Sequence, residues 1–319
     1  MATASSDPGA VVSLGDSKEH TKAETLLQMT LRRFFKHRMA VIGLVMLTGV
    51  VLYVTVGAAF LSEEYANDTS VLYRWGEPSN ERPFGSDNVG RDIMARTIWG
   101  GQISLMIGII SVTISIVLGT LVGLAAGYFG GWVDALLMRM VEALLAIPTL
   151  VLLLVLSRVL IDTAAGETIP LLGREIGLSI VAVIVIIGFT SWMGLSRIVR
   201  SMVLSIKEQE FVSAARALGA GNTRIIFQHI LPNCLAPIIV AATLGVGTAI
   251  IVEAALSFLG FGVQPPDASW GNIINLARND VEDYWWVWFF PGAFIVITVL
   301  SINFIGDGLR DALDPRSLK

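Results

Sequence analysis

Six segments of this chain are long, apolar and nearly free of charged residues. A helix needs about 20 consecutive apolar residues to span a bilayer, and the chain is 54% hydrophobic and only 15% charged. These values lie outside the range of soluble globular domains. The expected spans are residues 39–61, 104–128, 143–157, 176–196, 236–258 and 284–306. The sequence therefore predicts an all-α membrane protein with six transmembrane helices.

The third span is the shortest of the six. Only residues 143–157 are free of charge, so Glu142 and Arg158 are expected at the two interfaces, where long side chains can reach water. Pro148 lies inside this span, and Pro237 lies near the start of the fifth. A proline removes one helical hydrogen bond, so we expect a kink at Pro148.

Lysine and arginine set the expected orientation. With both termini in the cytosol, 13 of these residues near the spans face the cytosol and 7 face outward, as the positive-inside rule requires. The first 30 or so residues are polar and contain no apolar segment of a signal peptide. The sequence predicts a multi-pass protein of the cell membrane that inserts from an uncleaved first span.

A polar stretch at residues 211–232, FVSAARALGAGNTRIIFQHILP, separates the fourth and fifth spans. Its basic character places it in the cytosol. Residues 210–218 favour a helix, Gly219 suits a left-handed turn, Asn222 can cap a second short helix and Pro232 is expected to end it. Ala214, Ala215 and Gly219 leave one face with almost no side chain, which suits close contact with a partner.

This stretch resembles the EAA loop of permease subunits of ATP-binding-cassette importers, the coupling helix that docks into an ATPase subunit. Ser213 stands where an acidic residue is expected, so Glu210 is expected to replace it, and His229 stands in place of an isoleucine. ARALG and HILPN are typical of the branch that imports dipeptides, oligopeptides and nickel. The resemblance implies these ATPase-coupling residues: Glu210, Ala214, Ala215, Arg216, Gly219, Arg224 and Pro232.

Three further segments are similar to the C-type subunit of dipeptide and oligopeptide permeases. They read RPFGSDNVGRDIMARTIWGGQISL, EAALSFLGFGVQPPDASWG and FIGDGLRDALDPR. In the first, Arg82 replaces a usual histidine and Gln102 a usual arginine. Four matches in the same order, from about residue 83 to residue 316, make the resemblance specific.

The resemblance implies the fold of a type I importer permease, the MetI-like fold, and a division of the chain. The expected parts are a disordered or short-helical cytosolic tail at 1–35, a first transmembrane helix at 36–62, an extracytoplasmic loop at 63–100, a permease core at 101–307 that includes the coupling loop at 199–232, and a cytosolic tail at 308–319.

It also implies partners: a second homologous permease, two ATPase subunits or one fused ATPase, a substrate-binding protein outside and the lipid bilayer, with no nucleic acid. From its position alone, the outward loop with Gln264, Pro265, Pro266 and Trp270 is expected to help receive the binding protein.

Glu253 is the one acidic residue well inside a predicted span. A carboxylate at mid-bilayer costs about 2.5 to 3.5 kcal/mol, so it usually faces a cavity or a partner. Two roles stay open, lining of the translocation pathway and a structural role with the side chain reaching the interface.

A stripe of Gly119, Gly123 and Gly127 lies on the second span. It equally predicts tight helix packing inside the subunit or between subunits.

The chain has no phosphate-binding loop of the Gly-x-x-x-x-Gly-Lys-Ser/Thr type. We therefore expect it to hydrolyse no ATP and to bind no cofactor or metal itself, with ATP and Mg²⁺ held by partner subunits. The predicted function is that of a permease subunit for peptide import. Alternatives are a nickel or haem permease of the same family, a stand-alone secondary transporter or channel, and, least supported, a membrane enzyme.

Overall fold

The computed structural model describes residues 26–164, 166–171 and 174–313. Its long and short helices are α1 (Leu26–Lys36), α2 (Arg38–Phe60), α3 (Glu63–Asn67), α4 (Ile93–Phe129), α5 (Gly131–Leu145), α6 (Thr149–Ala164), α7 (Leu178–Ile206), α8 (Glu210–Ala217), α9 (Asn222–Arg224), α10 (Leu231–Phe258), α11 (Trp270–Leu276) and α12 (Trp285–Leu313). A 3₁₀ turn at Val71–Tyr73, a π-helical turn at Ile225–Ile230 and the strands β1 (Thr168–Leu171) and β2 (Arg174–Gly177) complete the described elements.

Five helices in the described part of the chain are long and apolar enough to cross a membrane. They are α2, α4, α7, α12 and the continuous helix Asn222–Phe258, which contains α10. The pair α5 and α6 makes a sixth span if it is counted as one broken helix. The architecture is that of an all-α membrane protein.

The third predicted span is two helices, because α5 and α6 meet at a bend of 85°. Helix α5 ends at Leu145, and Pro148 lies in the break before α6. Proline disfavours helical backbone in the residue before it and removes a hydrogen-bond donor. The expected kink is therefore a complete break, and the expected single helix over residues 143–157 is wrong.

Helix α4 begins at Ile93 and not near residue 104, so the end of the predicted outward loop is helical. The Asp92 side chain caps it by accepting from the Ala95 N–H at 2.8 Å; burial raises the pKa of this carboxyl, although that hydrogen bond acts in the opposite direction. The sequence argument failed because it placed Arg96 outside the helix. Arg96 is buried within the protein and donates to Asn67 Oδ1 at 3.0 Å.

The last helix also extends beyond the predicted span. Helix α12 continues to Leu313, so residues 308–313 of the expected cytosolic tail are helical. His37, which caps α2 by accepting from the Ala40 N–H, lies 3.5 Å from the Asp311 carboxylate. The beginning of α2 and the end of α12 therefore lie together.

A small hairpin departs from the all-helical prediction. Strands β1 and β2 pair antiparallel, with Thr168 opposite Gly177 and Ile169 opposite Ile176. The Gly177 N–H donates to Asp267 Oδ2 at 2.9 Å, which fixes the hairpin to the loop before α11. Four-residue strands carry too little pattern for sequence reasoning to separate them from a loop.

The main internal seam joins α4 to α7. A Cβ atom built on Gly119, Gly123 or Gly127 would lie 2.6 to 3.0 Å from atoms of α7, including the Val199 and Val203 side chains. Small residues permit this close approach of the two backbones. The glycine stripe is thus a seam inside the subunit, which resolves the alternative left open by the sequence.

Candidate functional site

The short helix α8 ends in a Schellman turn, as its sequence predicts. The N–H of Gly219 donates to the Arg216 carbonyl at 3.0 Å, and the N–H of Ala220 donates to the Ala215 carbonyl at 3.0 Å. Gly219 has φ of +83°, a conformation that is cheap only for glycine. This pair of hydrogen bonds is the signature of the motif and gives the loop a defined shape.

The second helix of the predicted helix-turn-helix does not end at Pro232. Gly221, and not Asn222, is its N-cap residue, and the helix runs through the π turn into α10. In the π turn the Leu231 N–H donates to the Ile226 carbonyl, one residue further back than in an α-helix. This wider turn precedes Pro232, which has no N–H to donate, so the proline is accommodated at the start of α10.

A buried apolar cluster anchors the loop to the spans. Val212 of α8 is fully buried, and it packs with Val199 and Val203 of α7 and with Ile225 and Ile230. Each fully buried aliphatic side chain of this kind contributes about 1.5 to 3 kcal/mol. Helix α8 is therefore part of the packed body of the protein and not a free connector.

Two polar contacts tie the same loop to the end of α4. The Tyr128 hydroxyl donates to Asn222 Oδ1 at 2.8 Å, and Lys207 Nζ donates to the Gly127 carbonyl at 3.2 Å. Nearby, Arg200 of α7 makes a bidentate ion pair with Asp134 of α5 at 2.5 and 2.6 Å. The loop thus contacts α4, α7 and α10 at one end of the spans.

The predicted coupling residues form an exposed surface. Glu210, Ala214, Arg216, Gly219, Arg224 and Pro232 are exposed, and Ala215 is half-buried. Arg224 donates to the Gln228 side chain at 3.0 Å. Sequence reasoning missed Leu218, which is 88% exposed at the end of α8. The sequence carries no signal that separates this leucine from a buried one, because exposure at a helix end is decided by tertiary packing. We call these eight residues the α8 surface.

Glu253 lies away from this surface and is completely buried. The Ser104 hydroxyl donates to its Oε2 at 3.1 Å and the Ser257 hydroxyl to its Oε1 at 2.6 Å. Ser104 also accepts the Trp270 N–H at 3.2 Å. Glu253 therefore does not reach the interface. The structure places it in a polar cluster that joins α4, α10 and α11.

Trp270, expected in a receiving loop, is also completely buried, and its indole N–H donates to the Thr97 carbonyl at 2.9 Å. Only Pro265 and Pro266 of that predicted set are exposed, while Gln264 is half-buried. Trp270 is thus a packing residue and cannot contact a partner directly. Any receiving surface here would use the two prolines.

The composition of the α8 surface is suited to contact with another protein. It combines a backbone of small residues, an exposed leucine and charged side chains of both signs. Among the described residues, no three His, Cys, Asp or Glu side chains group so as to hold a metal ion. Small residues at Ala214, Ala215 and Gly219 would permit close approach of a partner backbone to this surface.

Known protein families match both parts of the chain. Residues 119–319 match the family described as the binding-protein-dependent transport system inner membrane component. Residues 25–81 match the N-terminal transmembrane domain of oligopeptide transport permease C. The larger match contains the α8 surface and Glu253.

Relatives of this chain align over most of its length. A dipeptide transport system permease protein of Alkalihalophilus pseudofirmus is 41% identical over 281 residues, which cover 88% of this chain and 87% of the relative. A candidate peptide permease of Brucella ovis is 43% identical over 287 residues, covering 89% of each chain.

Two solved structures share the fold. A chain of the MetNI methionine ABC transporter aligns with a TM-score of 0.53 at 23% identity, covering 70% of this chain and 98% of the other. A chain of an amino acid ABC transporter aligns with a TM-score of 0.50 at 19% identity, covering 68% and 94%. These likenesses show the MetI-like permease fold. The chain belongs to the family of binding-protein-dependent transport system inner membrane components.

Proposed function

We propose that this chain is a permease subunit of an ATP-driven importer of dipeptides or oligopeptides. The peptide cargo is inferred from the names of the two relatives, each more than 40% identical over nearly the whole chain. The chain supplies half of the translocation pathway and has no catalytic residue of its own. ATP and Mg²⁺ are bound by partner subunits.

The observation that carries this proposal is the geometry of the α8 surface. The exposed face of α8 is small, ends in the left-handed turn at Gly219 and carries Leu218, which is 88% exposed. The buried face of the same helix packs in a cluster shared with α7 and α10. An exposed apolar side chain beside a nearly bare backbone suits a groove in a partner. We assign that groove to an ATPase subunit.

The remaining partners follow from the family. A second homologous permease completes the pathway, two ATPase subunits or one fused ATPase face the α8 surface, and a substrate-binding protein delivers cargo at the opposite end. This arrangement requires both termini in the cytosol, as the distribution of Lys and Arg predicts.

The test is ATP-driven uptake by the complete complex in proteoliposomes, with the chain varied at Gly219. Gly219→Ala places a methyl group where φ is +83°, which costs about 1 to 2 kcal/mol. We expect lower retention of the ATPase subunits or ATP hydrolysis that no longer responds to the loaded binding protein. The spans should still insert, because the turn lies outside the apolar core.

Gly221→Ala is the matched control. Gly221 lies two residues away, has φ of −71° and has open space around its Cβ position. This variant should keep ATPase retention and cargo response near the wild-type level. If Gly219→Ala behaves like the control and Ala215→Trp also retains full coupling, the docking role is wrong and a stand-alone transporter or channel becomes the better reading.

Cargo is tested separately with the cognate binding protein. Uptake of labelled dipeptides and oligopeptides is expected to exceed uptake of nickel or haem under the same ATP concentration. Specific uptake of nickel or haem, with intact coupling to ATP, would keep the permease assignment and replace the cargo.

A further inference from the structure

A cavity lies in the middle of the spans, between α4, α7 and α10. It has a volume of about 270 Å³ and is lined mainly by aliphatic and small side chains. Three hydroxyl groups line it, one from each helix: Ser115, Ser191 and Thr248. Its lining, all within the described part of the chain, contains no charged side chain.

This middle cavity continues toward the end of the spans that carries the α8 surface. Ile198, Ala241 and Leu244 also line a second cavity of about 570 Å³, which extends to Asn233 and Arg310. Ile198 lines a third cavity as well, of about 530 Å³, beside Arg197 and Ser201. Ile198 thus lines all three cavities, and we call the three together the Ile198 groove.

The opposite end of the same three helices is closed. Ile107 of α4, Ile180 of α7 and Leu256 of α10 are fully buried in one apolar cluster. A Cβ atom built on Gly108 would lie 2.9 Å from the Ile250 side chain, so α4 and α10 are in close contact there. The Glu253 cluster lies at this closed end and lines none of the three cavities.

The hydroxyl groups of the middle cavity are open to a ligand. Thr248 donates to the Leu244 carbonyl at 3.3 Å, a long hydrogen bond, while the hydroxyls of Ser115 and Ser191 bond to no described protein group. By contrast, Thr190 and Ser196 of α7 donate to carbonyls of their own helix at 2.8 and 2.7 Å. Polar groups within a bilayer span require a partner or water.

We propose that the Ile198 groove is this subunit's half of the translocation pathway, seen open toward the ATPase side and closed outward. The proposal rests on the proposed function. Ser115, Ser191 and Thr248 would exchange hydrogen bonds with the amide groups of the peptide backbone, which all peptide cargoes share. The uncharged lining of the middle cavity, made of hydroxyl, aliphatic and small side chains, leaves cargo side chains of either sign without a specific partner there, so it tolerates many sequences.

The first test measures access of water to the groove in the assembled complex. Ser191→Cys and Thr248→Cys should react with a charged thiol reagent supplied from the ATPase side, without nucleotide, and not from the outer side. Phe189→Cys is the matched control, because Phe189 lies two residues from Ser191, on the opposite face of α7, and is 57% exposed to lipid or a partner. We expect labelling at Ser191 to be about tenfold faster than at Phe189, because a thiol reacts as its thiolate, which forms in water. The native Cys234 is fully buried, and its lack of labelling in the unmodified chain is checked first.

The second test obstructs the groove. Ser191→Trp should lower peptide uptake about tenfold while ATPase retention and basal ATP hydrolysis stay near wild type. Phe189→Trp should leave all three unchanged. Failure of ATP-driven uptake in the wild-type complex would refute the proposed function itself. Two other outcomes, each with normal uptake by the wild-type complex, would overturn the groove assignment alone. Either the cysteines at positions 191 and 248 stay unlabelled, or Ser191→Trp keeps full uptake. Both would indicate that lipid or a partner helix fills the groove.

Discussion

Glu253 illustrates what a single residue reveals of its surroundings. From sequence, a carboxylate in an apolar helix predicts a nearby partner or cavity, but the sequence does not identify that partner. Its hydrogen-bond donor Ser104 lies 149 residues earlier in the chain. Only the packing of α4 against α10 brings the two together, so the Glu253 cluster was beyond prediction.

Removing the Glu253 side chain should destabilise the protein more than it impairs transport. Glu253→Ala leaves the buried hydroxyls of Ser104 and Ser257 without their acceptor, a cost of about 1 to 3 kcal/mol. Glu253→Gln keeps one acceptor oxygen and should cost less. We expect a lower midpoint of thermal unfolding for both variants, with the larger decrease for Glu253→Ala. Uptake per assembled complex should stay near wild type. Unchanged thermal stability with lost uptake would instead restore the pathway role.

Leu218 permits a sharper test of the α8 surface at one residue. Burying a leucine in a partner groove contributes about 1.5 to 3 kcal/mol, so Leu218→Ser should weaken ATPase binding about 10- to 100-fold. Leu72 is the control, since it is 92% exposed on the long segment between α2 and α4. Leu72→Ser should leave ATPase binding unchanged, as measured by titration of ATPase subunits onto the purified permease pair. Equal binding by both variants would remove Leu218 from the interface.

At the level of elements, the sequence located the spans better than it located their ends. Hydropathy identifies a helix by its uncharged stretch, and it fails where a charged residue is buried by tertiary contacts, as at Arg96 in α4. Likewise, Pro148 was a visible signal for a kink, but the 85° angle between α5 and α6 depends on packing. The Schellman turn at Gly219 was predictable because it is encoded within a few residues.

The seam between α4 and α7 should tolerate no added side chain. A Cβ atom on Gly123 would lie 2.6 Å from the Val199 Cβ and 2.7 Å from the Ser196 carbonyl oxygen. Gly123→Val should therefore cost about 1 to 3 kcal/mol, or more if the backbones cannot separate. The expected result is a lower thermal midpoint of the detergent-purified chain and less assembled complex.

Gly49 of α2 gives the matched comparison for that seam. Its Cβ position has no neighbouring atom within 4 Å, so Gly49→Val should change the thermal midpoint little. If Gly123→Val is as stable as Gly49→Val, the helices are held apart in the membrane and the seam is not tight.

For the whole molecule, orientation is the property on which the partner assignments depend. Thr223, beside the α8 surface, and Ser79, on the segment between α2 and α4, are both exposed. In intact cells an impermeant thiol reagent should label Ser79→Cys, while Thr223→Cys should react only after permeabilisation. The reverse pattern would place the α8 surface outside the cell and exclude contact with a cytosolic ATPase.

Helix α4 has 37 residues, a length of about 55 Å at 1.5 Å per residue. The hydrocarbon core of a bilayer is about 30 Å thick, so this one rod projects well beyond it. At one end it carries the Asp92 cap and Arg96, and at the other Tyr128 holds Asn222 beside the α8 surface. A tilt of about 5° would move either end of such a rod by about 5 Å relative to the other. Helix α4 therefore connects the segment around Asp92 directly with the α8 surface, so a small tilt of this one helix would displace both ends of the spans.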